Sequence, residues 1–110
     1  MKFIPYAKPS LISVDKKHLI KAFDSTWISG GFYVDSFEKN FAKYLNCNNA
    51  LSVNNGTSAI DLVYQSLDLK KGDEIIFPGY GYMAASNLAL KYGYKPKFVD
   101  VDPDTLCIDV

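Results

Sequence analysis

A chain of 110 residues that is 48% hydrophobic, with seven Phe and eight Tyr, holds ample material for a folded core, which excludes a disordered chain. Twelve Lys plus Arg balance twelve Asp plus Glu, so no net field draws the chain to nucleic acid or an acidic membrane, and neither is expected as a partner. Two distant cysteines, Cys47 and Cys107, and a single histidine, His18, supply neither a disulfide scaffold nor a metal cluster. The opening residues are too short a run for a signal peptide, and no apolar run approaches the roughly 20 residues that span a bilayer, so a cytoplasmic location is expected.

Residues 1–14, with Pro5 and Pro9 and no steady period, read as an extended arm. Asp15 to Phe23 predicts a short helix that buries Leu19, Ile20 and Phe23. In the next segment Val34, Phe37, Phe41, Tyr44 and Leu45 recur at helical steps, and Asp35 and Glu38 have the spacing of a capping box. Residues 15–45 are therefore expected to be helical segments. From residue 50 the pattern changes to short apolar runs, Ala50 to Val53, Glu74 to Phe77 and Lys97 to Val101, that begin about 23 residues apart. Each gap accommodates one crossover helix. The first, Ser58 to Leu67, places Ala59, Leu62, Val63 and Ser66 on one side; the second, Met83 to Tyr92, is stopped by Gly93. Residues 50–110 thus predict a βαβαβ unit with a parallel sheet, right-handed crossovers and an α/β fold class. Three strands make a small sheet of this kind, so the chain is expected to be the N-terminal portion of a larger α/β domain.

Ligands of open α/β sheets gather beyond the carboxyl ends of the strands, where loops converge and helix N-termini point unpaired N–H groups. Two loops meet that description, Asn54 to Ser58 and Pro78 to Tyr82. One offers a glycine turn with two hydroxyls, the other an aromatic ring, a pairing suited to a flat phosphorylated ligand. Neither a Gly-x-Gly-x-x-Gly fingerprint nor a Gly-Lys-Ser/Thr loop is present. Asp100, Asp102 and Asp104 read as a solvated turn after a strand as readily as an ion site, and the full calcium-loop spacing is absent.

Five stretches occur in one order: Thr26-Trp27-Ile28-Ser29-Gly30-Gly31, the helix Val34 to Leu45, Asn54-Asn55-Gly56-Thr57-Ser58-Ala59, Gly72-Asp73-Glu74-Ile75-Ile76-Phe77-Pro78, and Phe98-Val99-Asp100-Val101-Asp102-Pro103-Asp104-Thr105. Together they resemble the N-terminal part of the DegT/DnrJ/EryC1/StrS family, the pyridoxal-phosphate-dependent aminotransferases of nucleotide-linked keto sugars. The resemblance implies a fold type I large domain, three-layered with a mostly parallel sheet, acting as a homodimer with pyridoxal 5'-phosphate or pyridoxamine 5'-phosphate. It assigns Thr57 and Ser58 to the cofactor phosphate, Gly56 to the tight turn beside them, and Tyr82 to stacking on the pyridine ring. Trp27, Ile28, Ser29 and Gly30 match a segment near the substrate and the dimer interface. Gly81 departs from the family pattern, which carries a hydroxyl residue there. The implied partners are a nucleotide-linked keto sugar and an amino donor such as glutamate, in the making of surface polysaccharide, lipopolysaccharide or a glycosylated metabolite. The family's Schiff-base lysine and ring-nitrogen aspartate are expected beyond Val110, so no catalytic residue is assigned here and the 110 residues alone are expected to be inactive. A sugar dehydratase of the same family, with histidine in place of that lysine, and a truncated non-catalytic relative are the alternatives.

Overall fold

The computed structural model describes residues 3–5 and 7–110, which fold as two compact units, Met1–Leu51 and Ser52–Val110. In the first, residues 7–12 of the expected arm carry no regular structure, while residues 1, 2 and 6 lie outside the described residues. Helix α1 spans Ser13–Asp24 and is opened by Asp15, whose carboxylate accepts the Ile12 N–H at 2.8 Å. Helix α2 spans Phe32–Tyr44. Its N-cap is Gly31, so Asp35 lies in the fourth helical position and the expected Asp35/Glu38 capping box does not form. The start is set instead by Gly31, whose φ of 150° is a conformation essentially confined to glycine. Leu19, Ile20 and Phe23 are exposed, contrary to the expectation of a buried face: no element among the described residues covers them.

The second unit begins with α3, Gly56–Ser66, followed by β1, Glu74–Pro78, α4, Ala84–Tyr92, and β2, Lys95–Val99. The strands pair in parallel from Glu74 opposite Lys95 to Pro78 opposite Val99, joined by α4 as the crossover. The protein is thus α/β. The expected first strand, Ala50 to Val53, is not formed, because a strand needs a partner ladder and none of the described residues supplies one. The unit is therefore αβαβ rather than βαβαβ. The last strand also starts two residues before the apolar run: Lys95 N–H already donates to Asp73 O at 2.7 Å, and Val101 leaves the ladder to form an antiparallel bridge with Ile108.

Glycine geometry closes the crossover. Gly93 is left-handed at φ 79°, and the Tyr94 N–H returns to Ala89 O at 2.9 Å, a Schellman stop that turns the chain from α4 into β2. The core lies between α3, α4 and the sheet, built from Tyr64, Phe77, Leu88, Ala89 and Tyr94. Tyr64 meets Tyr92 and Tyr94 edge-on, with ring centroids 6.2 and 5.8 Å apart. The buried face of α3 is thus Ile60 and Tyr64, not the expected Ala59, Leu62, Val63 and Ser66. This helix is apolar on several sides, so period alone did not select which face goes inward.

Candidate functional site

The start of α3 is capped by a side chain that takes one of its main-chain donors and leaves others unused. Asn55 is its N-cap, and the Asn55 Oδ1 accepts the Ser58 N–H at 2.9 Å, while Ala59 N–H donates to Asn55 O at 3.2 Å. The N–H groups of Gly56 and Thr57 remain without an acceptor among the described residues, at the positive end of an 11-residue helix. Gly56 itself has no positive φ and sits inside the helix, so it is not required by a tight turn as expected. Its Cβ position is instead open, with nothing within 4 Å.

Thr57 and Tyr82 line one cleft of about 400 Å³, together with Met83, Ala84, Asn87, Leu88 and Lys91. The loop that carries Tyr82 is fastened to the carboxyl end of the sheet by Gly79, whose N–H donates to Val99 O at 2.8 Å. A Cβ at Gly79 would lie 3.2 Å from that same carbonyl, so glycine permits the approach. Tyr82 is 90% exposed and also lines a second cleft of about 300 Å³ with Phe77, Pro78 and Phe98, so its ring stands between the two. Tyr80, the nearest rival in sequence, lines neither. At Gly81 an added Cβ meets only Pro78 Cγ at 3.9 Å, an ordinary contact, so the backbone would admit the hydroxyl residue that the family carries there.

Ser58 stands apart from Thr57: it does not line the cleft, and its N–H is already taken by Asn55. Asn87 and Lys91 were not singled out in the sequence. Their signal is the step of three and four through Ala84, Asn87, Leu88 and Lys91, which puts two polar ends on the same face of α4 as the start of the cleft. In the first unit, Trp27 Nε1 donates to Gly30 O, and a Cβ at Gly31 would run into the same indole. Trp27 and Ile28 are both exposed, and the segment is a small self-closed turn. The acidic turn is likewise self-contained. Asp102 accepts the N–H groups of Thr105 at 2.7 Å and Asp104 at 3.1 Å, and the Thr105 bond is the main cause that holds its carboxyl below the usual range. Among the described residues no three His, Cys, Asp or Glu converge as metal ligands, and no helix is long and apolar enough to cross a membrane.

The sequence pattern of the DegT/DnrJ/EryC1/StrS aminotransferase family matches residues 9–110. The chain belongs to this family. It is 43% identical over 107 residues to GDP-perosamine synthase of Escherichia coli O157:H7, covering 96% of this chain and 29% of that protein. With the GDP-perosamine synthase of Vibrio cholerae it shares 37% identity over 108 residues, 97% of this chain and 29% of the relative. Among solved structures it is similar to the E. coli GDP-4-keto-6-deoxy-D-mannose-3-dehydratase with bound hydrated PLP, at a TM-score of 0.87 and 34% identity over 96% of this chain and 28% of that one. The α/β fold is thereby that of the type I aminotransferase large domain. The chain spans under a third of the length of these relatives.

Proposed function

We propose that the protein is a pyridoxal-phosphate-dependent transferase that moves an amino group from a donor such as glutamate to a nucleotide-linked keto sugar. In this reading it works in the cytoplasm as a homodimer, without nucleic acid or membrane as partner, and serves polysaccharide biosynthesis. The observation that carries it is the meeting of Thr57 and Tyr82 in one cleft, because a phosphate anchor and an aromatic face are the two things a flat phosphorylated ring requires. The residues fit the cofactor: the N–H groups of Gly56 and Thr57 are without an acceptor among the described residues, and the exposed Tyr82 lines the same cleft as Thr57.

Gly56 and Thr57 would hold the phosphate through their N–H groups, with the Thr57 hydroxyl as a further donor and the helix end favouring its charge. The Ser58 hydroxyl remains available to the same group from outside the cleft wall. Tyr82 would fix the tilt of the ring, a positioning task. The bound cofactor supplies the electron sink. Proton transfer is assigned to none of these residues, and the 110 residues are not proposed to turn over by themselves, since the family resemblance puts the Schiff-base lysine further along. Trp27 to Gly30 are proposed to serve the substrate or dimer region.

A second reading, a sugar dehydratase of the same family, has the support of the solved dehydratase described above. One experiment separates the two: the full-length protein is titrated with pyridoxal phosphate by absorbance, then incubated with glutamate and a GDP-linked 4-keto sugar. An amino sugar in the mass spectrum supports the transferase, and a nitrogen-free keto sugar short of one oxygen, formed with release of ammonia, supports the dehydratase. Thr57→Val should raise the cofactor Kd about tenfold, through loss of one bond to a charged group. Absence of saturable cofactor uptake by the wild type would overturn both readings.

A further inference from the structure

The cleft shared by Thr57 and Tyr82 continues along α4 past Asn87 to Lys91, its one charged wall, with no carboxylate among the lining residues. The ammonium of Lys91 rests on Asp61 Oδ1 at 3.2 Å and lies 5.2 Å from the centroid of the Tyr92 ring. Asp61 follows Thr57 by four residues of α3, about 6 Å of rise, so the carboxylate that holds the cation belongs to the turn next to the unpaired helix donors. That distance is within the sweep of a lysine stem.

The carboxylate does not depend on this lysine. Tyr92 Oη donates to Asp61 Oδ1 at 2.9 Å and Gln65 Nε2 donates to Oδ2 at 3.0 Å, so both oxygens keep a partner when the ammonium leaves. An ion pair whose lysine is 60% exposed adds little stability, and giving it up costs correspondingly little. A phosphate monoester carries close to two negative charges at neutral pH and repays a mobile ammonium well.

We propose that Lys91 is a further phosphate-recognition residue of this cleft, held in reserve on Asp61 and turning to the phosphate when the cofactor binds. The proposal rests on the cofactor reading above and adds to it a cation that the helix terminus lacks. It is tested in the full-length protein by fluorescence titration with pyridoxamine 5'-phosphate and, separately, with pyridoxamine. Lys91→Gln should raise the Kd for the phosphorylated compound about fivefold to tenfold, leave that for pyridoxamine unchanged, and flatten the salt dependence of the former. Lys91→Arg should restore most of the loss. Thr57→Val, run beside them, reports on the parent reading. If Thr57→Val weakens binding while Lys91→Gln does not, the role of Lys91 is overturned and the cofactor site stands. Equal weakening of both compounds by Lys91→Gln would make it a packing residue and overturn the proposal as well. If neither variant changes the phosphorylated compound's Kd, both readings fall.

Discussion

The hydroxyl of Tyr64 donates to the main-chain carbonyl of Ala85 at 3.0 Å, fastening the last turn of α3 to the first turn of α4. The bond holds together α3, which carries Thr57 in its first turn, and α4, which follows the loop that carries Tyr82. Burial, and secondarily the Tyr94 phenol, pushes the Tyr64 pKa above the ordinary 10.0. Tyr64→Phe keeps the ring and loses the bond, and should lower stability by about 1 kcal/mol at neutral pH. A group whose folded pKa is raised contributes fully below its unfolded value and loses that contribution as pH rises through the folded one. Wild type and Tyr64→Phe should therefore approach one another in urea denaturation carried out above pH 10.

Asp61 gives the opposite pH signature. The Tyr92 hydroxyl, followed by Lys91, holds its carboxyl below the ordinary 3.8, and the Tyr92 phenol is raised, by burial first and by this same bond second. Its stabilising share is present above the unfolded value and disappears as pH falls through the lower folded one. Asp61→Asn should be less stable than wild type at pH 6 and indistinguishable from it once the carboxyl is protonated in acid. Ultraviolet titration should also show one tyrosine ionising at lower pH in the variant. An unchanged tyrosine titration would mean that the bond to Tyr92 is not formed in solution.

Two glycines should respond in contrary ways to the same substitution. Gly93 is left-handed, and a Cβ there would sit 2.9 Å from Lys71 Cγ; the lysine can move aside, leaving a backbone cost of about 1 to 2 kcal/mol for Gly93→Ala. Gly56 has open space and no positive φ, so Gly56→Ala should leave stability level or raise it by up to about 0.5 kcal/mol. On the cofactor reading, the added methyl would crowd a phosphate held by the Gly56 and Thr57 N–H groups. Cofactor affinity should fall in Gly56→Ala while thermal stability does not, and a loss of both together would mark Gly56 as a structural residue.

Helices α2 to α4 were legible from their apolar steps, and Gly93 marked the end of α4 to the residue. Period could not choose the face of α3, where Leu62 and Val63 compete with Ile60 and Tyr64; the hydroxyl of Tyr64 found a partner in Ala85 and its ring found Tyr94, contacts that lie 21 and 30 residues away. Strand formation at Ala50 to Val53 was misread for a related reason: an apolar run specifies a preference, whereas a ladder needs a neighbour. In the candidate site, turn chemistry and family resemblance singled out Thr57 and Tyr82, and the two line one cleft. Lys91 was not singled out, because its place in that cleft with Thr57 depends on the packing of α4 and α3.

Tyr82 is the residue on which the stacking role can be tested most directly. Its ring is 90% exposed between two clefts, so it contributes almost nothing to the core, and Tyr82→Leu should leave the melting temperature of the cofactor-free protein unchanged. With cofactor the outcome should differ. A branched aliphatic side chain covers the ring poorly and does not fix its tilt, and misplacement of a reacting centre by about 1 Å costs on the order of a hundredfold in rate. The variant should therefore bind pyridoxal phosphate more weakly and slow amino transfer from the donor and to the sugar alike. Tyr80, exposed but outside both clefts, supplies the control: Tyr80→Leu should retain cofactor affinity. Full retention of cofactor affinity and of both transfer rates in Tyr82→Leu would exclude the stacking role, and a cofactor loss confined to Tyr80→Leu would move that role to the neighbouring ring.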